Sequence, residues 1–185
     1  MFDRSGFWST APDWRQTVHF TARLQLAAAV LPAVWRLSGS ASRSVLAELG
    51  VRHALGPRDA CDAANYALRL APDSVLLICH PAAHAVLHEL GEHPQLVVSE
   101  LSDGFVGMDI TGSAAPLLLQ LANEYPFMDL TDRPEESARM TFAGLPVVVM
   151  RRHDGWRLHV ERPWAAALWR WLMQHVQHVE EGGRT

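Results

Sequence analysis

The 185-residue sequence predicts an α+β fold built from two similar units, each a set of antiparallel strands backed by helices. Three observations carry this expectation. First, "RLSGSASRSVLAEL" at residues 36–49 and "DITGSAAPLLLQL" at residues 109–121 share one pattern. In both, a short apolar segment ends in Ser/Thr-Gly-Ser and a helical pattern follows. Second, "ALRLAPDSVLLICHPAAHAVLHEL" and "VVVMRRHDGWRLHVERPWAAALWRWL" both read strand, tight turn, strand, proline, helix. A strand–helix–strand–strand–helix order is therefore written twice, as expected of a duplication. Third, 49% of the residues are hydrophobic and only 19% are charged. A chain of this length buries a sizeable core without disulfides or metals. The low charge leaves part of the surface apolar, and the commonest reason for such a surface is a partner.

The elements follow in chain order. Residues 1–16 form an irregular N-terminal arm rich in large aromatics, Phe2, Phe7, Trp8 and Trp14. Such an arm either folds back on its own domain or docks on another subunit. Residues 17–97 form the first repeat unit. There "FTARLQL" alternates as a strand does, and "VWRLSG" is a second strand ended by Gly39. Ser40 or Ser42 is placed to cap a helix that runs to Leu49 and stops at Gly50. "GPRDACDA" reads as a loop. "NYALRL" and "SVLLICH" form a hairpin about "APD", and Pro81 opens a helix stopped by Gly91.

Residues 98–179 form the second unit. "FVGMDITG" is a strand ended by Gly112, and Ser113 is the expected cap of the helix "AAPLLLQLA". "NEYPFMDLTDRPEE" is a loop. "ARMTFAG", "PVVVMRR" and "WRLHVER" are strands, the last two joined through His153-Asp154-Gly155. Pro163 then opens the helix "PWAAALWRWLMQHVQHV". Residues 180–185 are expected to be a flexible tail.

The net charge is −4, the pI is near 6.2, and no Lys/Arg stripe occurs, so nucleic acid is not an expected partner. Cys61 and Cys79 form neither a Cys-x-x-Cys pair nor a zinc-ligand spacing, which fits a reduced, cytoplasmic setting. The opening residues lack the basic and apolar regions of a signal peptide. The longest apolar run, "LQLAAAVLPAV", is too short to span a membrane and contains Pro32.

No catalytic constellation stands out. The ten histidines include His80, His84, His88 and His93 around one helix. His84 and His88 share a helix face and are, with His80, weak candidates for a metal site. Ala83, Val86, Leu87 and Leu90 make the packing stripe of that helix, and the two histidines point away from it. "HELGEH" departs from the zinc-protease pattern because its second histidine comes one position late. Ser102, Asp103 and Asp109 lie near the second Gly turn, but "TGSAA" and "SGSAS" lack the second Gly of a nucleophile elbow. No phosphate-cradling Gly motif is present, which argues against this chain binding a dinucleotide by itself, and no cofactor-binding residue is singled out. In the last helix Leu168, Trp171, Leu172 and Val176 form a core stripe. Trp169 falls off it and either covers the helix rim or anchors an interface. Trp164 is a further interface candidate, with Phe7, Trp8 and Trp14. In the last strand, Trp156, Leu158 and Val160 are expected in the core, with Arg157, His159 and Glu161 toward solvent. Arg151 and Arg152 are expected to be solvated, with an anionic ligand or partner as the alternative.

The stretch from Leu101 to Leu130, with that from Ala138 to Leu172, resembles the gamma subunit of heterotetrameric sarcosine oxidases. The family's Ser-Asp pair falls on Ser102-Asp103 and its Ser-Gly helix start on Thr111-Gly112. Its Asp-Leu falls on Asp129-Leu130, its Arg before the last helix on Arg162, and its Trp motif on Leu168-Trp169-Arg170-Trp171-Leu172. A Leu-Gly-Pro-Asp-Glu-Trp-Leu-Leu phrase is matched loosely at Leu70-Ala71-Pro72-Asp73-Ser74-Val75-Leu76-Leu77, without its Gly, Glu and Trp. The resemblance covers roughly residues 45–175, best in the second half.

The resemblance implies an aminomethyltransferase, T-protein-like fold of the folate-binding-domain kind. It implies a non-catalytic, architectural subunit beside larger flavin-bearing alpha and beta chains and a small delta chain. The cofactors FAD, FMN, NAD, tetrahydrofolate and zinc would then belong to those partners. The implied reaction is oxidative demethylation of sarcosine, or of a related secondary or N-methyl amine, with the one-carbon unit passed to tetrahydrofolate. Two alternatives stay open: a stand-alone folate-dependent one-carbon binding protein of the same fold, and a His-rich metal-binding module.

Overall fold

A strand whose side chains are apolar on both faces needs a cover on each side. "PVVVM" at residues 146–150 is such a strand, and the computed structural model gives it two covers. The structure describes residues 12–29, 31–49, 51, 65–80, 83–122, 137–152 and 154–181. Among the described residues ten strands make two antiparallel sheets, in agreement with an α+β fold. The elements in chain order are β1 (Val18–Phe20), β2 (Gln25–Ala29), β3 (Val34–Ser38), α1 (Ser42–Glu48), β4 (Tyr66–Ala71), β5 (Ser74–Ile78), α2 (His84–Glu89), β6 (Val97–Glu100), β7 (Phe105–Thr111), α3 (Ala115–Leu121), β8 (Ala138–Phe142), β9 (Leu145–Arg151), β10 (Gly155–Glu161) and α4 (Arg162–Glu181).

The larger sheet has the order β1-β2-β7-β10-β9-β8 and the smaller one β4-β5-β3-β6. Helices α3 and α4 cover the outer face of the larger sheet. Ala165, Leu168, Leu172, Val176 and Val179 of α4 follow helical spacing and meet Met108, Ile110, Leu158 and Val160. On the smaller sheet, Val45 and Leu46 of α1 and Leu87 of α2 pack on Trp35, Leu37, Val75 and Leu77. The inner faces of the two sheets meet through Val34, Tyr66, Leu68, Leu76, Ile78, Val148 and Met150. The result is four layers, helices–sheet–sheet–helices.

The sheets do not follow the division at residue 97. β2 precedes β3 in the chain but pairs with β7, from Gln25↔Thr111 to Ala29↔Gly107. β6 precedes β7 but pairs with β3, from Trp35↔Glu100 to Ser38↔Val97. Each junction is closed by a glycine. Gly39 has φ +133° and Gly112 has φ +103°. A Cβ at Gly39 would strike the carbonyl of Gln95, and one at Gly112 the carbonyl of Arg23. The residues that follow close the same two bonds in each place. Ala114 N–H donates to the Arg23 carbonyl at 3.0 Å and Ala41 N–H points at the Gln95 carbonyl at 3.5 Å. Ser42 N–H donates to Gly39 at 3.1 Å and Ala115 N–H to Gly112 at 3.2 Å.

Several local expectations are corrected. "FTARLQL" is not one strand. Thr21 turns the chain between β1 and β2, its N–H donating to the Leu24 carbonyl at 2.8 Å and its Oγ accepting from Leu24 N–H at 2.9 Å. Ser40, Ser42 and Ser113 cap nothing: the N-caps are Ala41 and Ala114, and the glycine turns satisfy the first N–H groups instead. Gly91 does not stop α2; a 3-10 turn at Leu90–Glu92 passes through it. α4 continues to Glu181, so Glu180 and Glu181 belong to it and not to a tail. Gly50, Cys61, the "GPRDACDA" loop, Pro81, His153 and the 123–136 loop lie outside the described residues. Among the described residues no helix is long and apolar enough to cross a membrane.

Replacing Gly112 by Ala is expected to destabilise the fold by about 3 kcal/mol, because positive φ and a backbone collision coincide. Urea unfolding of Gly112→Ala beside the exposed Gly91→Ala, where a Cβ meets nothing within 4 Å, measures this.

Candidate functional site

Polar chemistry concentrates where the two sheets face each other. Asp109 on β7 and Arg157 on β10 are cross-strand partners, so their side chains share the inner face. The guanidinium grips the carboxylate with two bonds, Nε to Oδ1 at 2.6 Å and Nη2 to Oδ2 at 2.7 Å. Arg152 approaches the same carboxylate at 3.5 Å and Asp154 at 3.6 Å. Burial alone would lower the pKa of Arg157, but the hydrogen bonds and charge of Asp109, helped by Tyr66, hold it above its ordinary value.

Two residues along β10, His159 is fully buried. Its Nδ1 lies 3.2 Å from the carbonyl of Val148 and its Nε2 lies 2.8 Å from the hydroxyl of Tyr66. A carbonyl only accepts, so Nδ1 carries the proton and Nε2 accepts from the Tyr66 O–H. Tyr66 stands on β4 of the smaller sheet and His159 on the larger, so this bond ties the sheets together. Arg157 Nη1 lies 3.5 Å from the same hydroxyl. Burial first, then the charges of Arg157 and Arg152, push the His159 pKa down to about 3, against the bond to Val148. The imidazole is therefore neutral.

Beyond this joint the sheets part and leave an open cleft of about 490 Å³. His159 and Val148 border it, Leu70, Leu76 and Phe105 give it apolar walls, and Arg36 and Arg139 face it from opposite sheets.

These positions correct the expected solvent face of β10. His159 and Arg157 are internal because the second sheet covers them. The signal for this was present in β9: a continuous apolar run implies burial on both faces, and the neighbouring strand must share it. Tyr66, Arg36 and Arg139 carried no such signal and were missed. Arg151 and Arg152 are not simply solvated either. Arg151 lies 3.9 Å over the ring of Trp156 and donates to the Gly155 carbonyl at 3.2 Å.

The remaining candidates are scattered. His88 is exposed and meets Trp35 edge-on at 5.1 Å, and His80 is exposed near the end of β5. The side chain of His84 lies outside the described residues. Among the described residues no group of three or more His, Cys, Asp and Glu gathers. Phe2, Phe7 and Trp8 lie outside the described residues, whereas Trp14 is partly buried against the larger core. Trp164 is 45% exposed. Trp169 and Trp171 are partly buried against that core, so neither the rim nor the stripe describes them fully. Trp171 meets Phe142 edge-on and stacks on His175 at 4.0 Å. Cys79 is buried, and that burial pushes its thiol pKa up to about 11.

Ser102, Asp103 and Arg162 are brought together. The N–H of Val34 donates to Ser102 Oγ at 3.3 Å, and that hydroxyl donates to Glu100 at 3.0 Å. Arg162 Nε donates to the Asp103 carbonyl and its Nη2 lies 4.0 Å from the Asp103 carboxylate. Ser102 thus ties the turn before β7 to the first residue of β3, and Arg162 ties the start of α4 to that turn. Asp129 and Leu130 lie outside the described residues.

No family model matches the chain, and no curated protein matches it in sequence. Among solved structures, a chain of the heterotetrameric sarcosine oxidase from Corynebacterium sp. U-96, in complex with pyrrole 2-carboxylate, is similar with a TM-score of 0.67 and 23% identity. The match covers 84% of this chain and 85% of that one. The likeness is one of fold. The glycine cleavage system aminomethyltransferase T from Bartonella henselae aligns with a TM-score of 0.49 and 18% identity, over 82% of this chain and 46% of that one. This chain spans about half of that protein's length.

Tyr66→Phe leaves Nε2 of His159 buried without its donor and is expected to cost about 1–3 kcal/mol of stability. Denaturant midpoints measure it. The pH dependence follows from His159. Its folded pKa of about 3 lies below the ordinary 6.5, so below pH 6.5 the unfolded chain takes up a proton that the folded chain refuses. Its contribution is complete above pH 6.5 and is lost as pH falls toward 3, by at most about 1.4 kcal/mol per pH unit. Denaturant midpoints at pH 7, 6 and 5 should fall in that order, and His159→Gln should flatten the trend.

Proposed function

We propose that this chain is a non-catalytic, gamma-type subunit of a multi-subunit flavin-dependent sarcosine oxidase, or of a related oxidoreductase acting on N-methyl or secondary amines. The observation that carries this reading is the fold match to a sarcosine oxidase chain, which covers nearly equal shares of both chains. Equal shares mean that the matched chain is about as long as this one. The likeness is chain for chain, not to one domain of a larger protein.

Two further observations support it. The partly or fully buried polar groups between the sheets are spent on one another: Asp109 on Arg157, His159 on Tyr66 and Val148. That arrangement holds sheets together, and among these residues it leaves no activated nucleophile or poised acid–base pair. The surface, in contrast, carries large apolar side chains. Val18 and Phe20 stand on the edge strand β1, Leu117 and Leu121 one turn apart on α3, and Trp164 on the first turn of α4. Such groups suit burial against larger chains.

In this reading the partners are larger alpha and beta chains and a small delta chain. FAD, FMN, NAD, tetrahydrofolate and zinc belong to those chains and to the passage of a one-carbon unit between them. The two glycine-closed junctions at Gly39 and Gly112 support a duplicated, T-protein-like origin of the fold.

The test is affinity capture of the tagged chain from its native cell, with mass spectrometry and a visible spectrum. Two large chains and oxidised-flavin absorbance at about 450 nm are expected in the eluate, the band being a cofactor property. A colourless chain recovered alone, or one that turns over an amine unaided, would sink the proposal. Trp164→Asp is expected to reduce recovery of the large chains by about tenfold while the variant's own melting temperature stays unchanged, since Trp164 is half exposed.

A further inference from the structure

The inter-sheet cleft has a regular construction that the subunit reading does not use. Along each strand the inner face passes from apolar core to cleft. On β3 Val34 is in the core and Arg36 in the cleft; on β4 Tyr66 and Leu68 are in the core and Leu70 in the cleft. On β9 Met150 is in the core and Pro146 in the cleft. The sheets are in contact at one end and open at the other. Arg139 belongs to the same face, because it stands opposite Val148 across β8 and β9.

Arg36 is oriented. Its Nε donates to Ser38 Oγ and Ser74 Oγ, both at 3.2 Å, and those hydroxyls are 2.9 Å apart. This fixes the plane of the guanidinium and leaves its terminal amino groups for another partner. Among the described residues neither Arg36 nor Arg139 has a carboxylate within ion-pair distance. Glu161 is the one carboxylate among the described cleft residues, and His159 is neutral, both its nitrogens being engaged. The described lining therefore has a net charge of one positive unit. A volume of about 490 Å³ lies within the range of small-molecule sites.

We propose that this cleft binds a small organic monocarboxylate, its apolar body between Leu70, Leu76 and Phe105 and its carboxylate on Arg36 with Arg139. A planar guanidinium held by hydroxyls at Nε offers its other edge to a carboxylate with two parallel bonds. The apolar walls exclude a fully hydrated inorganic anion, and Glu161 disfavours a second negative charge on the ligand. Binding here is independent of flavin partners, and its test separates the two proposals.

The probes are benzoate and its neutral isostere benzamide, with hexanoate as an aliphatic monocarboxylate. Each is titrated by isothermal calorimetry into the full chain, with any co-purifying chains retained. Benzoate or hexanoate is expected to bind, and benzamide about tenfold more weakly than benzoate or worse. Arg36→Gln and Arg139→Gln should each weaken carboxylate binding by about tenfold with the melting temperature unchanged, because both side chains are exposed. Arg36→Lys should restore only part of the loss. Equal binding of benzoate and benzamide, wild-type affinity in both Gln variants, or no binding of either carboxylate at about 10 mM would each overturn the proposal.

Discussion

The exchange of β2 and β6 is the constraint from which the rest of the structure follows. Each of these strands is the chain neighbour of one sheet's central strand and the hydrogen-bonded neighbour of the other's. The two sheets cannot move apart without tearing a strand from one of them. Where the sheets touch, their inner faces are therefore covered, and any polar group placed there must find its partner inside the protein. Gly39 and Gly112 hold the exchange in place, since at each the backbone of the incoming segment lies where a side chain would be.

Asp109, Arg157, Tyr66 and His159 are what that covering demands. One charge is met by an opposite charge, one imidazole by a hydroxyl and a carbonyl, and the two sets touch through the long Arg157–Tyr66 approach. The contacts to Asp109 and Val148 run within the larger sheet, and the two to Tyr66 reach the smaller. The joint therefore fixes how the sheets are seated as well as satisfying buried groups. Where the joint ends, the sheets separate, and Arg36 and Arg139 on the same faces have no carboxylate within ion-pair distance among the described residues. One pattern of residues on one pair of faces thus gives a closed lock at one end and an open, positively charged cleft at the other.

Much of this was legible in the sequence. The glycine-ended strands 34–38 and 105–111, the hairpins of β4 with β5 and of β9 with β10, and the long helix after Pro163 are all set by local chemistry. Turn residues, alternation and helical spacing decide them within a few residues of chain. What was not legible depends on distant partners. Ser42 and Ser113 look like caps, but backbone from Gln95 and Arg23 had already filled the space in front of those helices. Arg157, His159 and Glu161 alternate as a solvent face does, and only the presence of a second sheet makes His159 internal. Nothing near Tyr66 in sequence announces a histidine far along the chain.

The strand exchange also bears on how the chain acquires its structure. Neither sheet is assembled from consecutive segments. The smaller sheet waits for Val97–Glu100 before β3 is flanked on both sides, and in the larger the β1–β2 hairpin waits for β7 before it has a sheet to join. During synthesis the first hairpin leaves the ribosome with its partner strand not yet made. Loop closure over such separations is slow, and the apolar strands stay exposed meanwhile. The chain is thus built to fold late and all at once, as a single cooperative unit rather than half by half.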